Sequence, residues 1–241
     1  MSAFFDLHHH FLYGMDDGAA TKLEMQQMLV EAHKDGVRIL VATPHITPGV
    51  TPVSLEVLNK QMEEARTFSN AYGLDLELYL GSEIMYTYHV QRFLAERLIP
   101  TIAGTEKVLL EFATNVTYPE IEDAVLHVLR AGYLPILAHI ERYACLMHAR
   151  QRLGLLKKEY DVFFQVNADC ILRGRDYVTN RTIKRAILDN EIDFIASDAH
   201  NTQRRSCNLQ KTYEKIEEIY GKESADRLLG NHRTLDWLEK L

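Results

Sequence analysis

Short apolar runs alternate with longer stretches of helical periodicity from one end of the chain to the other. Seven runs predict strands, at residues 4–7, 37–42, 76–80, 108–112, 135–138, 162–166 and 194–196. Between them the helix signals are explicit. Thr21 followed three residues later by Glu24 predicts a capping box, and Gly36 stands where a helix C-terminus is expected after Lys34 and Asp35. Thr51-Pro52 opens a second helix running to Gly73, and Pro119 marks the first turn of another that ends near Gly132. Alternating strand and helix implies an α/β fold with parallel strands, because a parallel pair needs a crossover and is then buried by it. Pattern alone leaves open whether the sheet is a barrel or flat. No repeat, low-complexity tract or long Pro/Gly/Ser linker divides the chain, so residues 1–241 read as one domain. Residues 205–241 form two or three closing helices, with Trp237 as a packing anchor.

Composition narrows the function classes. At 241 residues and 46% hydrophobic, the chain can bury a large core without disulfides. Its 27 basic against 34 acidic side chains give a formal charge of −7, which argues against nucleic acid as a partner. The longest apolar run, 131–140, contains His139 and falls well short of the roughly 18 residues a membrane span needs. No membrane insertion is expected. The start, Met-Ser-Ala-Phe-Phe-Asp, lacks the pattern of a signal peptide, so the cytoplasm is the expected compartment. Cys145, Cys170 and Cys207 are odd in number and widely spaced, which fits a reducing compartment and not a thiolate zinc site.

The chemistry gathers after the strands. Asp6-Leu7-His8-His9-His10 and Asp16-Asp17-Gly18 follow the first, Thr43-Pro44-His45 the second and Gly81-Ser82-Glu83 the third. Glu111 ends the fourth, His139-Ile140-Glu141-Arg142 follows the fifth and Asp198-Ala199-His200 the seventh. In parallel α/β folds these strand ends converge on one face, where ligands bind. His8 and His10, two apart, share a face of an extended segment, and His9 points away as a structural residue. A lone His-x-His is a weak signal, and a lone buried Glu111 is as well explained by an arginine or backbone partner. The set is different: five imidazoles and four carboxylates crowded together need compensation, and divalent cations supply it most simply. Nitrogen and oxygen ligands without sulfur suit manganese, iron or zinc. Asp17, Glu83, Glu111 and Asp198 contribute −4, so two divalent ions neutralise the site and three leave it at +2, attractive to a phosphate dianion. His33, His89, His127, His148 and His232 lie away from the cluster and carry no such reading.

These motifs, with Ala42-Thr43-Pro44-His45, Leu110-Glu111-Phe112, Ala138-His139-Ile140-Glu141-Arg142-Tyr143 and Ala196-Ser197-Asp198-Ala199-His200-Asn201, resemble the polymerase and histidinol phosphatase (PHP) superfamily. Within it they are similar to the bacterial manganese-dependent tyrosine-protein phosphatases of capsule and exopolysaccharide clusters. The likeness runs from about residue 5 to 205. It implies a distorted (β/α)7 TIM-like barrel holding three divalent ions, manganese first. The ligands it implies are His8, His10, Asp17, His45, Glu83, Glu111, His139, Asp198 and His200. It also implies that Arg142 contacts substrate phosphate together with a second arginine, Arg204 or Arg205, with Arg204 favoured. A hydroxide held between two ions would attack phosphorus in line. The implied partner is a phosphotyrosine protein, the tyrosine-rich tail of a bacterial tyrosine kinase; a homo-oligomer is left open.

Three rival readings remain at this point. A PHP phosphatase of a small metabolite such as histidinol phosphate would use the same metals. An amidohydrolase would bridge its metals with a modified Lys at a strand end, whereas Lys107 begins the fourth strand and Glu111 ends it. A non-catalytic module would use the ions only to hold its fold. A cysteine phosphatase is excluded, because six positions after Cys145, Cys170 and Cys207 stand Gln151, Asp176 and Tyr213 instead of arginine.

Overall fold

The computed structural model describes residues 3–51 and 54–230. All seven predicted strands form: β1 (Phe4–His9), β2 (Val37–Ala42), β4 (Glu77–Leu80), β6 (Lys107–Glu111), β7 (Leu134–Leu137), β8 (Phe163–Asn167) and β9 (Phe194–Ala196). Two short strands were not anticipated. β3 (His45–Ile46) resumes β2 after Thr43-Pro44, and β5 (Glu83–Met85) resumes β4 after Gly81-Ser82. Every pairing between these strands is parallel, in the orders β1–β2–β4 and β3–β5–β6–β7–β8–β9. The sheet curls until its last strand meets its first. There Asp198 N–H donates to the His8 carbonyl and His10 N–H to that of Ala199, both at 2.9 Å. The expected distorted seven-stranded α/β barrel is therefore the fold.

Helices clothe the strands as the caps predict. α1 (Lys22–Lys34) opens on the Thr21–Glu24 capping box and stops before Gly36, whose φ of 90° suits glycine. α2 (Leu55–Ala71) is capped by Ser54, whose hydroxyl accepts from Val57 N–H; the proposed start at Pro52 lies outside the described residues. α3 is Val90–Ala95, and α4 (Tyr118–Arg130) carries Pro119 in its first turn. α5 (Ala144–Met147), α6 (Gln151–Glu159), α7 (Ala168–Arg173) and α8 (Tyr177–Leu188) follow, and α9 (Leu209–Tyr220) and α10 (Lys222–Leu229) close the described chain. His232 and Trp237 lie outside it. No helix among the described residues is long and apolar enough to cross a membrane.

Strand alternation divides the core in two. Phe4, Leu40, Ala42, Val108, Leu110, Leu137, Phe164, Val166 and Ile195 face the helices in the larger cluster. Phe5, Leu7, Ile39, Val41, Leu109, Ile136, Phe194 and Ala196 face inward and fill the barrel. Between β4 and β6 a turn at Ile102–Gly104 pushes Ile102 into this filling, so close to Gly81 that a Cβ there would lie 2.9 Å from its Cδ1. Glycine permits both the strand break and the wedge. On β1 the register against β2 shifts between Asp6 and His9. The inward phase of Phe5 and Leu7 passes to His8 and His10 at the same place, the re-aiming that an irregularity in a strand allows.

Candidate metal centre

At the C-terminal ends of the strands the barrel filling changes from apolar to charged. Glu83, Glu111 and Asp198 continue the inward rows of β5, β6 and β9, and His8 and His10 join them from β1. All nine residues expected as ligands come together. Their donor atoms form three overlapping groups: His10 with His45 and His200; His8 and His10 with Glu83 and Asp198; His45 with Glu83 and Glu111. His139 stands at the edge, its Nε2 2.7 Å from Glu83 Oε1 and 3.6 Å from Glu111 Oε2. Asp17 Oδ1 lies 3.1 Å from His200 Nε2 and 3.4 Å from His45 Nε2.

Hydrogen bonds behind the rings fix which nitrogens face inward. His8 donates through Nδ1 to Gln165 Oε1 (3.2 Å), His10 to Asp16 Oδ2 (2.8 Å) and His200 to the Asp198 carbonyl (3.0 Å). Each Nε2 therefore faces the cluster and, once free of its proton, offers a lone pair to a cation, as a metal-binding imidazole must. The Nε2 atoms of His8 and His10 stand only 3.2 Å apart. Buried Glu83 Oε2 has His8, His10 and His45 nitrogens at 3.0, 3.3 and 3.1 Å, yet makes a well-formed hydrogen bond with none of them. Acceptors converging on one another in this way fit divalent cations among them.

The titration behaviour agrees. Burial would lower the His139 pKa, but the Glu111 and Glu83 carboxylates overcome it and raise it to about 9. His10 rises well above its usual value because Asp16, Asp198 and Glu83 outweigh its burial. Burial would raise Glu83, yet His8, His10 and His139 hold it well below the usual carboxylate range. In the ion-free chain, ring protons balance the carboxylates; a divalent ion would replace them. His139 (φ 32°) and Asp198 (φ 51°) both adopt left-handed backbone conformations, the kind of local strain that gathers at functional sites.

Several contributing residues carried no role in the sequence reading. β8, the one strand end without an acid or imidazole, supplies buried Gln165, which accepts from His8 and from His139 N–H (2.8 Å) and donates to Asn167 Oδ1 (2.8 Å). Asn167 in turn donates to Asp198 Oδ2 at 2.6 Å. Asp16 accepts from His10, from His45 N–H (2.9 Å) and from Gly18 N–H (2.8 Å). Gly18 packs so tightly that a Cβ would fall 2.2 Å from the His10 carbonyl oxygen. Tyr143 hydroxyl lies 3.3 Å from His139 Nδ1 and accepts from Phe112 N–H. His9, as expected, stays out of the centre: its ring packs near Phe11, and burial helps lower its pKa to about 3.

The arginines differ from expectation in one respect. Arg142 donates to Asp198 Oδ2 at 2.5 Å rather than pairing with Glu141. Of the adjacent pair, Arg205 reaches the cluster, donating to Asp17 Oδ2 (3.2 Å) and to both Asp198 oxygens (3.0 Å). The turn places Arg205 rather than the favoured Arg204 at the cluster: Asn201 Oδ1 accepts from the backbone N–H of Gln203, Arg204 and Arg205, and this tight turn sends Arg205 inward. Arg204 instead lines a separate hollow with Asp17 and Gly18. Arg142, Arg205, Asn167 and Asp198 line a cavity of about 130 Å³ that also admits Arg175. Lys107 lies away from the centre, its ammonium beside Glu106, which removes the amidohydrolase-type bridge.

A family model described as capsular polysaccharide synthesis, CpsB/CapC, matches residues 4–235. The chain is 30% identical over 228 residues to tyrosine-protein phosphatase CpsB of Streptococcus agalactiae, covering 92% of this chain and 93% of that protein. It is 28% identical over 235 residues to tyrosine-protein phosphatase YwqE of Bacillus subtilis, covering 95% and 90%. A solved structure from work on YwqE of Bacillus subtilis and CpsB of Streptococcus pneumoniae, described as unique metal-dependent tyrosine phosphatases, superposes with a TM-score of 0.86 at 25% identity over 98% of this chain and 94% of that one. Histidinol phosphate phosphatase from Lactococcus lactis shares the fold, with a TM-score of 0.58 at 15% identity over 92% and 93%.

Proposed function

We propose that this chain, which belongs to the CpsB/CapC family of capsular polysaccharide synthesis, is a metal-dependent phosphatase that removes phosphate from phosphotyrosine in proteins. The observation that carries the reading is the inward convergence of imidazole lone pairs and carboxylates beside two guanidinium groups. Three ions are proposed among these overlapping groups, each imidazole nitrogen serving a single ion, with manganese first and iron or zinc as alternatives. Asp17 would complete the group of His10, His45 and His200, and His139 that of His45, Glu83 and Glu111. Bound divalent ions supply Lewis-acid polarisation of the phosphoryl oxygens and a water nucleophile of lowered pKa.

The chain's own residues do the rest. Gln165 and Asp16 hold His8 and His10 in the tautomer that binds a cation, and Asn167 orients Asp198. Counting Asp16 with the four acids gives −5, so three divalent ions would leave the centre at +1. Arg142 and Arg205, now on Asp198, would offer planar paired donors to the phosphate. No protein nucleophile is required. Cys170, which lines the same cavity, is unsuited to the task because burial drives its thiol far above its usual pKa. A phenolate leaving group, with a pKa of about 10, departs with little protonation. The proposed protein substrate is the tyrosine-rich tail of a bacterial tyrosine kinase, met in the cytoplasm.

The test is hydrolysis of a phosphotyrosine peptide and of histidinol phosphate before and after chelation, with metal analysis of the same samples. Chelation is expected to abolish turnover, added manganese to restore it, and the peptide to be the better substrate. Failure of every divalent ion to restore activity would overturn the reading; preference for histidinol phosphate would move it to the small-metabolite class.

A further inference from the structure

We propose that Arg175 reads the polypeptide around the phosphotyrosine, pairing with a carboxylate on a residue close to the ester, so that acidic phosphopeptides are the preferred substrates. The inference rests on the phosphatase reading and adds the class of sequence that the site selects. Arg175 lines the same cavity, of about 130 Å³, as Arg142, Arg205 and the candidate ligand Asp198. It therefore shares one space with the groups assigned to the phosphate.

The acids of that lining are already engaged. Asp198 meets Arg142 and Arg205, Asp169 Oδ1 lies 2.8 Å from Arg173 Nε, and buried Glu141 accepts from Asn167 N–H. Among the described residues no carboxylate pairs with the Arg175 guanidinium. Its backbone, by contrast, is pinned. Arg175 N–H donates to Asn180 Oδ1 at 2.7 Å, Asn180 Nδ2 donates to the Arg175 carbonyl at 3.4 Å, and the next residue, Asp176, caps α8 by accepting from Val178 and Thr179 N–H. Gly174, with a φ of 71°, leaves room for that amide, which a Cβ would meet at 2.9 Å. The turn holds an unanswered cation at the cavity before any ligand arrives.

Exposure and charge separate the roles of the three arginines. Arg142 and Arg205 are part-buried against Asp198 and match the two charges of a phosphate dianion, whereas Arg175 is exposed and surplus to it. Cys170 and Gly174 also border a second hollow, of about 320 Å³, lined by Arg173, Lys184 and Lys215 and, among the described residues, by no acid. On a chain of net charge −7 this is a local excess of positive charge, complementary to a substrate segment that carries carboxylates.

The test is binding of fluorescent peptides to the metal-loaded full chain, each peptide carrying phosphonomethylphenylalanine as a non-hydrolysable phosphotyrosine. One peptide has aspartate at the positions flanking the analogue, its control has alanine there, and a third has lysine. The wild type should bind the aspartate peptide at least about threefold more tightly than the alanine peptide. Arg175→Gln should bring the two to within about 1.5-fold, and Arg175→Glu should invert the order so that the lysine peptide binds best. Equal affinities in the wild type, or an undiminished ratio in Arg175→Gln, would overturn the proposal. So would equal weakening of the aspartate and alanine peptides in Arg175→Gln, since the guanidinium would then hold the phosphate itself. An aspartate preference that collapses in the variants, in a protein that hydrolyses no phosphotyrosine, would support the peptide contact while sinking the phosphatase reading.

Discussion

The two ends of the barrel interior are built on the same strands and obey opposite rules. At the lower end, Phe5, Ile39, Leu109, Ile136 and Phe194 pack into one apolar filling with well-satisfied backbone and no charge among them. At the upper end, inward positions on the same or continuing strands hold Glu83, Glu111 and Asp198 among five imidazoles, and His139 and Asp198 adopt strained backbone conformations. The lower end contributes stability through apolar burial and asks for no partner. The upper end places like-charged groups together at a cost that cations would relieve. Stability and chemistry are separated along one axis, with a few ångströms of strand between them.

Variants at each end should break differently. Glu83 meets four imidazoles, so Glu83→Gln should reduce phosphotyrosine turnover by at least about 10²-fold and lower the metal content measured on the purified protein. Leu109→Ala at the lower end should cost about 2–5 kcal/mol in a denaturant titration, while the folded fraction still takes up its metals. Equal loss of metal in both variants would dissolve the distinction.

Titration sharpens it. His139 is raised from 6.5 to about 9, so the folded ion-free chain holds a proton that the unfolded chain releases. Its contribution is fully present below pH 6.5 and is lost as pH rises through about 9, on the order of 3 kcal/mol. The melting temperature of chelated protein should fall across that window, and metal-loaded protein should not follow it. Smallest in effect is Gln165→Leu, which removes the acceptor shared by His8 and His139. Metal affinity should weaken about 10- to 100-fold with little change in melting of the chelated protein.

Much of this was legible in the sequence. Apolar runs located all seven main strands, since a buried parallel strand is nearly continuous in hydrophobic residues. The candidate ligands were legible for the opposite reason: His, Asp and Glu at strand ends interrupt that pattern. β3 and β5 were hidden because two or three residues carrying a candidate ligand show no periodicity. Gln165 and Asn167 repeat the two-residue spacing that exposed His8 and His10, but an amide bears no charge and drew no attention. The choice between Arg204 and Arg205 depends on the Asn201 turn, a backbone detail that spacing cannot reveal.

The seam where β9 meets β1 has a consequence for the life of the molecule. His8 and His10 are made about 190 residues before Asp198 and His200, which follow the strand whose backbone closes the ring against them. A growing polypeptide therefore cannot assemble its ion cage until residue 200 has left the ribosome. A product terminated before that point would lack the closing side of the cage and be born inert.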